Sequence, residues 1–235
     1  MATISYNCWI VPALYVVATP IGNLEDISLR ASRCLREVNL IAAEDTRTTR
    51  HLLRAYDIRT PVTSYHEHTK GSKLNYLLSR LERDDIALVS EAGTPALSDP
   101  GYELITAAIA RGIRVVPIPG ASAITTALVV SGLPTDKFLY LGFLPRRQGQ
   151  RRRVLNSIAD EARTIVVFEA PHRLLETLSD IQATLGNRQL AVCRELTKLY
   201  EEIFRGKVSE AREHFTKPKG EFTLVIGGKG EEGAS

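Results

Sequence analysis

The first half of the chain alternates short apolar runs with amphipathic stretches. LYVVAT (14–19) precedes SLRASRCLREV (28–38), LIAAED (40–45) precedes TTRHLLRAYD (48–57), and PVTSYH (61–66) precedes SKLNYLLSRLER (72–83). IALVSE (86–91) then leads to GYELITAAIARG (101–112), and RVVPIPG (114–120) to SAITTALVVSG (122–132). Near-continuous apolar runs, rather than strict alternation, imply strands buried on both faces and so a mainly parallel sheet. Gly112 and Gly132 stand where helix C-caps are expected. After the turn GLPTDKF (132–138) the pattern continues with FLYLGFLP (138–145), a basic helix near 150–161, TIVVFEA (164–170) and RLLETLSDIQATLG (173–186). It then changes. QLAVCREL (189–196), YEEIFRGKV (200–208) and EFTLVIGG (221–228) follow with little helix, which predicts antiparallel pairing in a mixed sheet. The reading is α/β throughout, with an N-terminal domain over 14–133, a C-terminal domain over 137–228 and a tail at 229–235 expected to be disordered.

Composition narrows the class only modestly. The 235 residues are 44% apolar and 24% charged, ordinary for a soluble globular protein. No apolar run is long enough to span a membrane, and the start reads better as a strand than as a signal peptide. Cys8, Cys34 and Cys193 lie far apart without metal spacing, which fits a reducing, cytoplasmic setting. A net charge of +3 announces no nucleic-acid binder, but RRQGQRRR (146–153) gathers five arginines in eight residues. That run is either a solvated helix entry or a phosphate-contacting patch.

Ligands of open α/β sheets bind beyond the carboxyl ends of the strands. The segments at those ends are TPIGN (19–23), EDTR (44–47), EAGTPALSDPG (91–101) and PGASA (119–123). Each has an ordinary reading as a turn or cap: Asp45, Asp99 before Pro100, and Ser122 are all plausible N-caps. Small residues at helix N-termini also let a ligand approach backbone amides closely. No glycine fingerprint for dinucleotides or nucleoside triphosphates occurs, and no hydrolase elbow. His66 and His68 make a weak metal pair and read better as structural or substrate-lining residues.

Eight blocks in order carry a resemblance: YVVATPIGNLEDISLRA, AAEDTR, VSEAGTPALSDPG, PGASAITTALVVSGLP, FLPRR, VFEAPHRL, CRELTKLYEE and GEFTLVI. Over Leu14 to Ile226 the chain resembles the small-subunit ribosomal RNA methyltransferase I family, a branch of the tetrapyrrole-methylase-like superfamily. The resemblance implies two α/β domains with a cleft between them, a homodimer, and no metal or membrane partner. It implies S-adenosylmethionine-dependent methylation of a ribose 2′-hydroxyl, on a cytidine in the decoding region of small-subunit ribosomal RNA.

Carried over residue by residue, the resemblance puts Thr19, Pro20, Gly93, Thr94, Pro95, Leu97, Ser122, Ala123 and Phe168 against the cofactor. Phe168 would stand just after the seventh strand. Many superfamily members read Gly-Asp-Pro where this chain reads Gly93-Thr94-Pro95, so Glu91 or Asp99 is expected to face the cofactor's positive charge instead. Several relatives continue beyond the final strand, whereas this chain ends soon after it. The arginines Arg146, Arg147, Arg151, Arg152 and Arg153 then become the expected RNA contacts, with Arg47 and Arg194 gripping phosphate.

A ribose hydroxyl is a weak nucleophile, so a base or a cation favouring its alkoxide is needed. Lys198 in CRELTK (193–198) is the expected catalytic group, as a neutral base or as a cation, oriented by Glu195 or Asp45. On a continuing strand Arg194 and Lys198 would share one face. His172 is a further candidate, or a cap. The alternatives are a same-fold enzyme acting on a tetrapyrrole or a modified histidine, and a ribosome-binding assembly factor without catalysis.

Overall fold

The computed structural model describes residues 11–66 and 71–230. The chain divides into two compact units, the first ending at Ser122 and the second starting at Ala123.

The first unit is built from β1 (Ala13–Val17), α1 (Leu29–Glu37), β2 (Leu40–Ala43), α2 (Thr46–Ala55), β3 (Val62–Ser64), α3 (Gly71–Arg80), β4 (Ile86–Val89), α4 (Tyr102–Ala110) and β5 (Arg114–Ile118). Its sheet runs β3-β2-β4-β1-β5, and every pairing is parallel. Leu14 sits opposite Ile86 on one side and Val115 on the other. Both faces are covered. Ala13, Tyr15, Val17, Ile41 and Val89 pack with Ala31, Cys34 and Leu35 of α1 and Leu53 of α2. Leu14, Leu40, Ile86 and Leu88 pack with Leu77 and Leu78 of α3 and Leu104 of α4. This double burial is why the strands are apolar throughout. Helix α1 shows the local logic: Ser28 caps it by accepting from the Ala31 amide at 3.0 Å, and its buried positions fall at helical spacing. Burial pushes the Cys34 thiol up to about 12, so it behaves as core. Cys8 lies outside the described residues.

The second unit holds α5 (Ala123–Ser131), β6 (Phe138–Phe143), α6 (Gln148–Ser157), β7 (Thr164–Glu169), α7 (Leu174–Leu185), β8 (Gln189–Arg194), β9 (Glu202–Lys207), α8 (Val208–His214) and β10 (Phe222–Ile226). Its sheet is ordered β6-β7-β10-β8-β9, with only β6 and β7 parallel, so it is mixed. One face packs on α6, α7 and α8 through Leu155, Leu178, Ile181 and Ala211. Helix α5 packs on β8, β9 and β10.

The turn at 132–138, where the sequence suggests a boundary, therefore lies inside the second unit. Helix α5 goes with that unit because Ala127 and Leu128 are buried and Arg205 of β9 donates to the Val130 carbonyl at 2.5 and 2.8 Å. Gly132 follows α5 at φ 77°, a left-handed C-terminal position that suits glycine. The short α8 is not anticipated by the sequence pattern; its seven residues bury only Val208 and Ala211.

Candidate active site

At the carboxyl edge of the first sheet, two loops are tied together. The Thr19 amide donates to the Gly93 carbonyl at 2.9 Å and Gly93 donates back to Thr19 at 3.0 Å. Gly93 adopts φ 78°. Gly120 approaches so closely that a Cβ there would stand 3.1 Å from the Ala18 Cβ. Thr19 is 4% exposed, yet its Oγ1 has no hydrogen-bond partner among the described residues. A buried hydroxyl without a partner is costly, and a polar ligand atom would satisfy it. Thr19, Pro20, Thr49, Ser90 and Glu91 line a small indentation at this edge. Pro95 is buried, Thr94 is half-buried and Leu97 is exposed. Ala96 at φ 68° and Ser98 at φ 65° hold left-handed conformations, so the loop carries backbone strain of order 1–3 kcal/mol per residue.

Asp99 does not cap α4. The N-cap is Gly101, at φ 142° and without a side-chain bond, so the capping explanation of Asp99 fails. Its carboxyl is instead half-buried near Glu44 and Glu91. Burial and the Glu44 charge push it up to about 6, against a hydrogen bond from Ser90. Glu44 also accepts from the Glu91 amide at 3.2 Å. This group of three acids was only partly legible, since nothing in the sequence brings Glu44 to Asp99. Asp45 is a cap: its Oδ1 accepts from the Arg47 and Thr48 amides at 2.6 and 3.2 Å, which holds its carboxyl below the usual range. Arg47 is exposed, with its guanidinium 3.8 Å from Asp45.

In the second unit CRELTK does not continue as a strand. β8 ends at Arg194, and Glu195 (φ 50°) and Thr197 (φ 67°) turn the chain, so Arg194 and Lys198 are not on one strand face. The turn brings Lys198 and Glu195 together. Lys198 Nζ lies 3.1 Å from Glu195 Oε1 and 3.0 Å from Glu221 Oε2. Partial burial works against its charge, but hydrogen bonds to Glu221 and Glu195 outweigh that and raise its pKa. Of the two roles open to Lys198, the electrostatics favour the cation over the neutral base. Glu195 also accepts from the Glu221 amide at 2.9 Å and is held below the usual carboxylate range, its bonds to Glu221 and Lys198 outweighing desolvation.

Glu221 and Gly220 are residues the sequence reading missed. Gly220, at φ +90°, abuts Glu195 so tightly that a Cβ would fall 2.5 Å from Glu195 Cγ. The glycine opening GEFTLVI was the available signal.

Among the other expected positions, Arg151 and Phe168 need correction. Arg151 is no RNA contact. It is fully buried, with Nη2 2.6 Å from Asp180 Oδ2, so packing rather than solvent or phosphate explains it. Arg152 also pairs with Asp180, at 2.7 Å, while Arg146, Arg147 and Arg153 are exposed. Arg194 donates from Nε to the Lys219 carbonyl at 2.7 Å and pairs with Glu202 at 3.1 Å. Phe168 lies within β7 rather than after it, edge-on to Tyr140 and Phe143. Ser122 immediately precedes α5, which Ala123 begins. His172 is exposed in a single 3-10 turn, and the buried work of VFEAPHRL is done by Glu169, which pairs with Arg173 at 3.1 Å. His66 is exposed, and His68 lies outside the described residues. Among the described residues no cluster of three metal-type ligands occurs, and no helix is long and apolar enough to cross a membrane.

Residues 13–212 match the family model of Tetrapyrrole (Corrin/Porphyrin) Methylases. The chain is 53% identical over 223 residues to ribosomal RNA small subunit methyltransferase I of Halalkalibacterium halodurans, covering 93% of this chain and 77% of that one. The counterpart of the same description in Thermotoga maritima is 51% identical over 219 residues, with 92% and 98% covered. Among solved structures, a cobalt precorrin-4 methyltransferase superposes with TM-score 0.68 at 16% identity, covering 92% of this chain and 94% of its own. A diphthine synthase also gives TM-score 0.68, at 15% identity with 92% and 90% covered. These two show the shared fold. With a matching family model over most of its length and relatives above half identity, the chain belongs to the ribosomal RNA small subunit methyltransferase I family of the tetrapyrrole methylases.

Proposed function

We propose that the protein methylates a cytidine ribose 2′-hydroxyl in the decoding region of small-subunit ribosomal RNA. Its relatives, ribosomal RNA small subunit methyltransferases, support ribosomal RNA as the acceptor. The observation that carries the choice of an oxygen acceptor is Lys198, kept cationic by Glu195 and Glu221 at 3.1 and 3.0 Å. A cation there favours the alkoxide over the neutral hydroxyl.

S-adenosylmethionine is the methyl donor of this family, and it supplies the methyl group together with a sulfonium leaving group. The first unit's residues fit it. Thr19 Oγ1, without a hydrogen-bond partner among the described residues, can take a polar atom, and Gly93 and Gly120 leave the backbone open to close approach. Asp99, Glu44 and Glu91 supply the negative charge that a cation needs. In the second unit Glu195 and Glu221 orient Lys198, and we assign Lys198 to the acceptor oxygen. Arg146, Arg147 and Arg153 offer unburied charge to the RNA backbone. A homodimer and a cytoplasmic site of action complete the proposal; sedimentation tests the first.

The direct test is transfer of labelled methyl from S-adenosylmethionine to small ribosomal subunits from cells lacking this enzyme, followed by nuclease mapping. Label on a decoding-region cytidine ribose supports the reading. Label on another nucleotide or on a base corrects it, and bound cofactor without transfer to RNA abandons it.

Asp99 gives a second test. With its carboxyl at about 6 in the folded protein, a proton competes with a cationic cofactor. Affinity measured by calorimetry is expected to rise by up to about tenfold per pH unit below 6 and to flatten above. Asp99→Asn should remove that dependence and weaken binding at pH 8. Without ligand the sign reverses: the folded state holds the proton more tightly, so stability falls as pH rises from about 4 to 6. A pH-independent affinity in the unaltered protein would separate Asp99 from the cofactor.

A further inference from the structure

A second polar recess lies in the second unit, lined by Arg194, Glu202, His214, Phe215, Thr216, Lys217, Pro218 and Lys219, with a volume of about 180 Å³. Its only carboxylate, Glu202, is already engaged by Arg194 at 3.1 Å and by His214 at 2.5 Å. Lys217 and Lys219 are exposed and make no ion pair among the described residues. Arg194 uses Nε on the Lys219 carbonyl and Nη1 on Glu202, which leaves Nη2 without a hydrogen bond among the described residues. The recess is thus a cationic one with donors to spare.

The segment that carries the two lysines is held at both ends. Phe215 is 5% exposed and packs edge-on against Phe204 and Phe222, with ring centroids 6.0 and 5.6 Å apart. At the other end the Glu195 amide donates to the Glu221 carbonyl at 2.9 Å, and Glu221 pairs with Lys198. Pro218 restricts the backbone between the lysines. A short, anchored loop loses little freedom when it binds, which suits it to fixing a ligand's register. The same loop therefore closes this recess on one side and supports the Lys198 cluster on the other.

We propose that this recess binds a backbone phosphate of the RNA substrate, close to the ribose presented to Lys198. The inference rests on the reading of the protein as an RNA methyltransferase and assigns its substrate a second point of attachment. Phosphate contacts position a nucleic acid without reading its sequence, and each releases counterions. Arg194, Lys217 and Lys219 set the register of the strand, while Lys198 acts on its hydroxyl.

The test is binding of a labelled small-subunit ribosomal RNA fragment to the full chain over a salt series, for the unaltered protein and for Lys217→Ala/Lys219→Ala. Both side chains are exposed, so the fold should survive, and unchanged cofactor affinity checks it. The expected result is affinity lower by about tenfold or more and a log–log salt slope shallower by about 1. Lys217→Arg/Lys219→Arg should restore both, and Lys137→Ala, elsewhere on the same unit, should change neither. An unchanged affinity and slope in the double alanine variant would overturn the assignment, as would a loss that the arginine pair does not restore. Binding does not require methyl transfer. Failure of the unaltered protein to methylate ribosomal RNA would reject the functional reading, whereas an unchanged slope with active enzyme rejects the recess alone.

Discussion

Asp180→Ala is expected to destabilise the second unit by about 3–5 kcal/mol, among the largest single-residue effects in the chain. Asp180 on α7 is fully buried and receives Arg151 at 2.6 Å, Arg152 at 2.7 Å and Gln148 at 3.2 Å. Burial alone would raise its pKa, but the arginine hydrogen bonds more than offset that and hold it ionised. Removing it strands the Arg151 guanidinium, itself 0% exposed, without its buried counter-charge. Glu176, 3.5 Å away and mostly exposed, is a weak substitute. Urea melts should show the loss, and a heat scan should show the midpoint lower by about 10 °C or more. Replacing both partners, as in Arg151→Met/Asp180→Leu, is expected to restore most of the stability, because two buried charges leave together. A loss below about 1 kcal/mol in the single variant would show that the pair is not a structural lock.

Lys198→Ala is expected to lower turnover by about 10²–10⁴-fold while leaving S-adenosylmethionine affinity within about twofold. Equal losses in both would show that Lys198 serves binding or folding instead. The geometry around it allows a stricter check through Gly220. A side chain at 220 meets Glu195 before anything else, so Gly220→Ala should displace the carboxylate that orients Lys198. Part of the harm from that substitution is backbone strain at φ +90° and part is collision with Glu195. A double-mutant cycle separates them. Once Glu195→Ala has removed the obstacle, Gly220→Ala should reduce turnover little further, whereas additive losses would mean that strain alone is at work.

Much of the fold was legible because the periodic signals were strong. Apolar strands with both faces buried led to the parallel sheet, and the change of pattern after Gly186 led to the mixed one. The domain boundary was less readable. Gly132-Leu133-Pro134 looks like a linker, but a turn signal says nothing about which sheet a preceding helix covers, and α5 is claimed by β8, β9 and β10. The candidate site divides the same way. Asp45 as cap follows from local spacing, but Lys198 beside Glu195 needs the turn that ends β8, and Glu44 near Asp99 and Glu221 on Lys198 depend on tertiary approach. The arginine run shows the reverse error. Five charges in eight residues look like a surface, and the buried member could be known only from Asp180, 29 residues away.

β10 lies in the middle of its sheet, between β7 and β8, although it is the last of the described strands in sequence. While the chain is being synthesised, β6 with β7 and β8 with β9 can pair, but each pair keeps an open inner edge until residues 222–226 emerge. The first unit has all five of its strands by Ile118 and can close earlier. In the second unit the interval of exposure to edge-to-edge pairing thus lasts until β10, a five-residue strand whose every residue is buried.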